Sequence, residues 1–208
     1  MFVLTVDQRH SRRADDRVEA LLSWFGDRNE TFLRPFERTA GDEVQGILEQ
    51  PGDVVSLALA LVRQDAWSIG IGAGPGNRPL PPSTRAGSGQ AFTLARDAVT
   101  RAKARPNGVV VMGTSAETTR HAQAVMDLLA AVVARRSPQG WEAVDLAVAG
   151  LNQVEIATRL GVSKQAVSQR LRAAEWHLEP EGRVLAAHLL SLADGPMISV
   201  ADATGVQP

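Results

Sequence analysis

Residues 150–171, Gly-Leu-Asn-Gln-Val-Glu-Ile-Ala-Thr-Arg-Leu-Gly-Val-Ser-Lys-Gln-Ala-Val-Ser-Gln-Arg-Leu, leave the backbone little choice. Asn152 can accept from the first free N–H groups of a helix while Glu155, three residues on, returns a bond to the Asn152 backbone. Gly161 supplies the turn that a side chain would resist, and Ser163 starts a second helix. Ala157 is small where two crossing helices come close. Ile156, Leu160, Val162, Val167 and Leu171 fall on inward positions. That leaves Ser163, Lys164, Gln165, Ser168, Gln169 and Arg172 on one outward face. Amides and a guanidinium there can pair bidentately with base edges, and Ser and Lys suit phosphate.

This segment resembles the helix-turn-helix of sigma-factor region four, LuxR-type and MarR-type regulators, carried by Glu155 to Ser163 followed by Val167 and Leu171. The resemblance implies a small α-helical module that reads double-stranded DNA, with those six residues as its contacts. Composition pulls the other way. The chain of 208 residues has a formal net charge of −1, and residues 139–208 hold five Lys/Arg against eight Asp/Glu. Any attraction to DNA must therefore come from a local patch.

The N-terminal half alternates strands and helices. A strand at Phe2 to Val6 precedes a helix around Arg13 to Phe25. Strands Leu33 to Thr39 and Val44 to Leu48 form a hairpin about Ala40-Gly41-Asp42-Glu43. Pro51-Gly52-Asp53 opens a helix through Val62, and Trp67 to Ile71 is the next strand. A Gly/Pro segment, 72–89, reads as flexible, with Gly70-Ile71-Gly72-Ala73-Gly74 as a strand end: Pro75 denies it the strand-to-helix continuation of a dinucleotide loop. A helix at Gln90 to Ala104 and a strand at Val109 to Met112 follow. Thr114-Ser115-Ala116-Glu117 has capping-box spacing, with Thr114 as the cap of a helix to about Arg136. Its apolar face is wide, with Leu128 and Val132 beside Ala122, Val125, Met126, Leu129 and Val133, which predicts burial on two sides, against the parent domain and against either a partner subunit in a homodimer or a second domain of the same chain. Pro138-Gln139-Gly140 reads as a break.

The expected fold is α+β: a ferredoxin-like βαββαβ domain at 1–113, a connecting or dimerisation helix at 114–137, the helix-turn-helix domain at 138–194 and a loose tail at 195–208. Cysteine is absent, which excludes disulfides, thiolate catalysis and Cys-based zinc sites and fits a cytoplasmic protein. No segment reads as a signal peptide or membrane span. His10, His121, His177 and His188 have no metal-ligand spacing.

Segments Val6 to Arg12, Gly41 to Leu48, Ile69 to Gly72 and Gln90 to Ala98 together resemble the SatD family and, more distantly, class III nucleotide cyclase and GGDEF domains. The cyclase resemblance implies two metal-binding carboxylates, Asp7 and Asp42, holding Mg²⁺ with a nucleoside triphosphate. It also implies nucleotide contacts from Arg38 and Arg96. Taken alone, Asp7 reads rather as a cap of the following helix or an ion-pair partner of Arg9 or Arg12, and Asp42 as a turn residue. Arg9, Arg12, Arg13 and Arg17 read first as a solvated helix face, with a phosphate site or a second DNA contact as the alternatives. The sequence departs from cyclases at Phe92, where they keep an Asn that an apolar ring cannot replace. The expectation is a dimeric DNA-binding transcriptional regulator whose N-terminal domain senses a nucleotide or mediates assembly. The alternatives are a Mg-dependent nucleotide-processing enzyme and a scaffold without ligand.

Overall fold

A computed structural model describes residues 1–9, 15–27 and 31–195. The expected tail beyond Gly195, together with His10, Arg12 and Arg13, lies outside the described residues. The protein is mixed α+β, with one five-stranded sheet and eight α-helices among the described residues. The strands are β1 (Phe2–Gln8), β2 (Phe32–Ala40), β3 (Glu43–Leu48), β4 (Trp67–Ala73) and β5 (Val109–Gly113), in spatial order β2-β3-β1-β4-β5. All neighbours are antiparallel except β4 and β5, which are parallel.

Alternation along the strands sorts side chains to two faces. Phe2, Leu4 and Val6 of β1, Val44 and Leu48 of β3, Ile69 and Ile71 of β4 and Val109 and Val111 of β5 enter one core. That face is covered by α1 (Val18–Gly26), α2 (Pro51–Gln64), α4 (Ala116–Ala134) and α8 (Glu179–Ala193). In α1, Phe25 stacks on Phe36 of β2 at 3.8 Å, and Phe36 lies over the bare backbone of Gly46.

The opposite face is covered by α3 (Gln90–Ala102). Gly70 and Gly72 are inside β4 rather than past its end, on the face that meets α3. A Cβ on Gly70 would stand 2.2 Å from the Val99 nitrogen, and one on Gly72 would meet the Ala91 carbonyl oxygen. Two glycines at i and i+2 thus let helix and strand touch through backbone.

The 72–89 connection is tied down, contrary to the expectation of flexibility. Ser83 donates to Glu37 at 2.6 Å, Thr84 donates to the Pro35 carbonyl at 2.7 Å, and Asn77 pairs with Ser88. Burial alone would raise the Glu37 pKa, but the Ser83 hydroxyl and the Arg85 and Thr84 backbone N–H groups hold it below the usual range.

Three boundaries differ from the sequence expectations. Helix α1 starts at Val18, not Arg13. Ser115, not Thr114, caps α4, because the backbone N–H and hydroxyl of Thr114 both donate to the Ala193 carbonyl at the end of α8. Pro138 does not break the chain: it is the first residue of α5 (Pro138–Val148), where its missing N–H costs nothing, and Ser137 caps that helix.

Helices α5, α6 (Gln153–Leu160) and α7 (Lys164–Ala173) share a second core of Ala143, Val144, Ile156, Ala157, Val167, Leu171 and Ala174. The expected 138–194 unit therefore divides by packing. Ala186, Leu190 and Ala193 of α8 return to the sheet's core, and α8 runs antiparallel to α4. No helix among the described residues is long and apolar enough to cross a membrane.

Candidate nucleic-acid interface

Both helices of the 150–171 segment are fixed by their caps. Asn152 Oδ1 accepts from the Val154 and Glu155 N–H groups at 2.9 and 3.2 Å, and Glu155 Oε2 accepts from the Asn152 N–H at 2.7 Å. Gly161 ends α6 with φ 65° and ψ 33°, a left-handed conformation where Cβ-bearing residues are strained. Ser163 Oγ then accepts from the Ala166 N–H at 3.1 Å and opens α7.

With α7 oriented by Val167 and Leu171, the six expected contact residues face outward. Ser163, Lys164, Gln165, Gln169 and Arg172 are exposed and Ser168 is half-buried. At 100° per residue, the five on the helix itself span an arc of about 140°. None of these five side chains makes a hydrogen bond or ion pair among the described residues, so their donors and acceptors are free for a ligand.

Next to this stripe lies a shallow cleft lined by Gln153, Ser168, Leu171, Arg172, Trp176 and His177. Sequence reasoning missed Gln153, Trp176 and His177 as candidates. Gln153 is the first residue of α6, where the Asn152 cap already takes the Val154 and Glu155 N–H groups, so what it offers the cleft is its side-chain amide. Its only sequence signal was its place just after the Asn152 cap. Trp176 and His177 occupy a short 3-10 turn, Trp176–Leu178, whose return to this cleft has no local signature.

Much of the acidity of the C-terminal third is spent elsewhere, but Glu175 stands 3.9 Å from His177 Nδ1 beside the cleft. Residues 161–174 contain Lys164, Arg170 and Arg172 and no carboxylate. Glu142 pairs with Arg170 at 3.0 Å, Asp145 takes both Arg63 nitrogens at 2.6 and 2.8 Å, Glu155 serves the α6 cap, and Glu179 is enclosed between Arg136 and Arg183.

The residues implied in metal and nucleotide binding have other partners. Asp7, at the end of β1, is buried and accepts from Lys103 Nζ at 2.8 Å. Asp42 stands on the β2-β3 turn, one residue from Glu43, which is the register partner of Asp7. The two carboxylates thus share one end of the sheet, but an ammonium already neutralises the buried one. No group of three or more His, Asp or Glu suited to a metal occurs among the described residues.

Arg38 is engaged by Asp16 at 2.7 Å, by Glu19 at 3.4 Å and by the Gly41 carbonyl. The Arg38 hydrogen bond, with one from the Val18 N–H, holds the Asp16 carboxyl below its usual pKa. Arg96 is exposed on α3 and has no partner among the described residues. Phe92 is buried against Val3 and Ile47, and its ring fills the space that a side chain on Gly87 would need. Arg9 donates to the Arg105 and Pro106 carbonyls.

Comparison of the chain with protein-family models, curated proteins and solved structures finds no match.

Proposed function

We propose that this protein is a DNA-binding transcriptional regulator in which α6 and α7 form a helix-turn-helix and α7 reads base edges in the major groove. The observation that carries this is the free polar stripe of α7: Lys164, Gln165, Ser168, Gln169 and Arg172, unpartnered, in a stretch without carboxylates. Gln and Arg at that spacing match adenine and guanine edges, while Lys164 and the Gln153 side-chain amide suit the flanking phosphates.

The sheet domain reads as ferredoxin-like, as the SatD and cyclase resemblances imply. The antiparallel order β2-β3-β1-β4, with α1 and α2 on one face, supports this, and β5 extends it by one parallel strand. We assign that domain to assembly rather than nucleotide turnover, because Lys103 occupies Asp7, Asp16 and Glu19 occupy Arg38, and Phe92 belongs to the core.

The test is selection of genomic DNA fragments by the purified protein at physiological salt, followed by titration of the enriched sequence. One enriched motif is expected, with half-sites about one helical turn apart for a two-fold dimer. Gln169→Ala and Arg172→Ala should each weaken specific binding by about 1–3 kcal/mol, roughly 5- to 150-fold. No enrichment over random fragments, or unchanged affinity in both variants, refutes the assignment.

A further inference from the structure

Helices α4 and α8 bury one side each in the sheet's core and leave a second apolar side uncovered. On α4, Leu128 is 70% exposed, and Val125 and Val132 are partly exposed. On α8, Leu185 and Leu192 are 48% and 45% exposed, and Leu178, just before the helix, is 52% exposed.

These positions meet on one face. Gly182 packs against Leu129, and the Thr118 hydroxyl donates to the Leu192 carbonyl at 3.5 Å, which fixes the side of each helix turned toward the other. At 100° per residue, Val125, Val132 and Leu128 follow Leu129 around α4 toward solvent. Leu189, Leu185 and Leu192 follow Gly182 around α8 in the same way. The two rows form the walls of a solvent-facing groove, and no element among the described residues covers it.

We propose that a second copy of this chain packs its own α4-α8 face into this groove, making a four-helix bundle about a two-fold axis. Two observations select that occupant. The rows run 125, 128, 132 on α4 and 185, 192 on α8, with Leu178 just before α8, the three-, four- and seven-residue steps that let helices pack at about 20° over two turns. The face also has the size a dimer needs. Helices of 19 and 15 residues lying side by side offer a face of roughly 25 by 20 Å. Two such faces, roughly 500 Å² each, bury about 1,000 Å² in total, the size at which a specific interface begins. An exposed apolar patch of a few hundred Å² is often functional. This deepens the assembly role proposed above for the sheet domain, and its test uses no DNA, so it can fail while the DNA reading stands.

The full chain would be weighed in solution by light scattering across about 1–100 µM, a range chosen to bracket micromolar dissociation constants. The expected mass is twice the 22.2 kDa of one chain. Leu128→Glu and Leu185→Glu should each weaken the dimer at least tenfold, because every substitution occurs twice in a two-fold interface. Both sites are exposed in the monomer, so circular dichroism should remain native; Leu128→Ser provides a milder version of the same test. Val148→Glu, at a 66% exposed position on α5 away from this face, should leave the dimer intact. A monomer at all concentrations overturns the proposal, as does a dimer indifferent to all three groove substitutions. A monomeric full chain whose 1–195 truncation dimerises would assign the groove to residues 196–208 and overturn it equally.

Discussion

The carboxylate of Glu179 is 2% exposed and lies between two arginines of unequal dependence on it. Arg183 is 31% exposed and bonds Glu179 Oε1 through Nε at 2.6 Å, so water can serve it if the carboxylate is lost. Arg136 is 1% exposed; Nη2 stands 2.5 Å from Glu179 Oε2, off the angle of a hydrogen bond, so the contact is ionic. Its other contacts are an Nε donation to the Ala174 carbonyl at 2.8 Å and the Trp141 ring at 4.8 Å. Glu179→Gln therefore leaves a buried guanidinium without a counter-charge, costing about 3–5 kcal/mol. Arg136→Met leaves Glu179 still bonded to Arg183 and keeps an apolar stem against Trp141, costing about 1–2 kcal/mol. For a chain of this length each kcal/mol is worth roughly 2–4 °C in Tm. Melts should show a drop of about 6–20 °C for Glu179→Gln and about 2–8 °C for Arg136→Met, with urea titration giving the matching free energies. Equal losses in the two variants, or a Glu179→Gln protein within about 1 kcal/mol of the original, would refute the reasoning that the pair is held by its burial.

Two further outcomes follow from local geometry. Gly72→Ala puts a methyl 2.1 Å from the Ala91 carbonyl oxygen and 2.5 Å from the Ala95 nitrogen, neither of which can rotate away. A loss of at least about 1–3 kcal/mol is expected, with hydrogen exchange accelerated across α3, and near-original stability would contradict the backbone contact. Asn152→Ala removes both bonds to the start of α6 and should cost about 1 kcal/mol. Faster amide exchange should be confined to the α5-α7 unit, and an unchanged α6 would show the cap to be idle.

What could be read in advance depended on how far apart the interacting residues lie in the chain. The Asn152-Glu155 box, the left-handed Gly161 and the Ser163 cap are encoded within four residues each, and the structure places all three as their chemistry demands. Gly70 and Gly72 carried the right information, one strand face without side chains, but its meaning depends on α3 some twenty residues later. Thr114 and Ser115 both offered a hydroxyl to α4, and the carbonyl that claims Thr114 belongs to Ala193, 79 positions away. The Asp7-Lys103 pair spans 96 positions, so no local pattern could show that the carboxylate was already neutralised. The same holds for α8. Its Ala186, Leu190 and Ala193 spacing suits burial against any helix, and only the assembled fold shows that the partners are α2 and α4 rather than α7.

Helices α5 to α7 form an interruption in the main core rather than an appendage at its end. The chain leaves that core at Ser137, after α4, and re-enters it at Glu179, the start of α8. A module hung on one linker can swing through a cone, but one joined at both ends to adjacent helices can pivot only about the line between its two joints. Arg63, which grips Asp145 and lies over Trp141 at 3.9 Å, opposes even that rotation. The direction in which α7 points is therefore set by the two joints at α4 and α8 together with the Arg63 contact from α2.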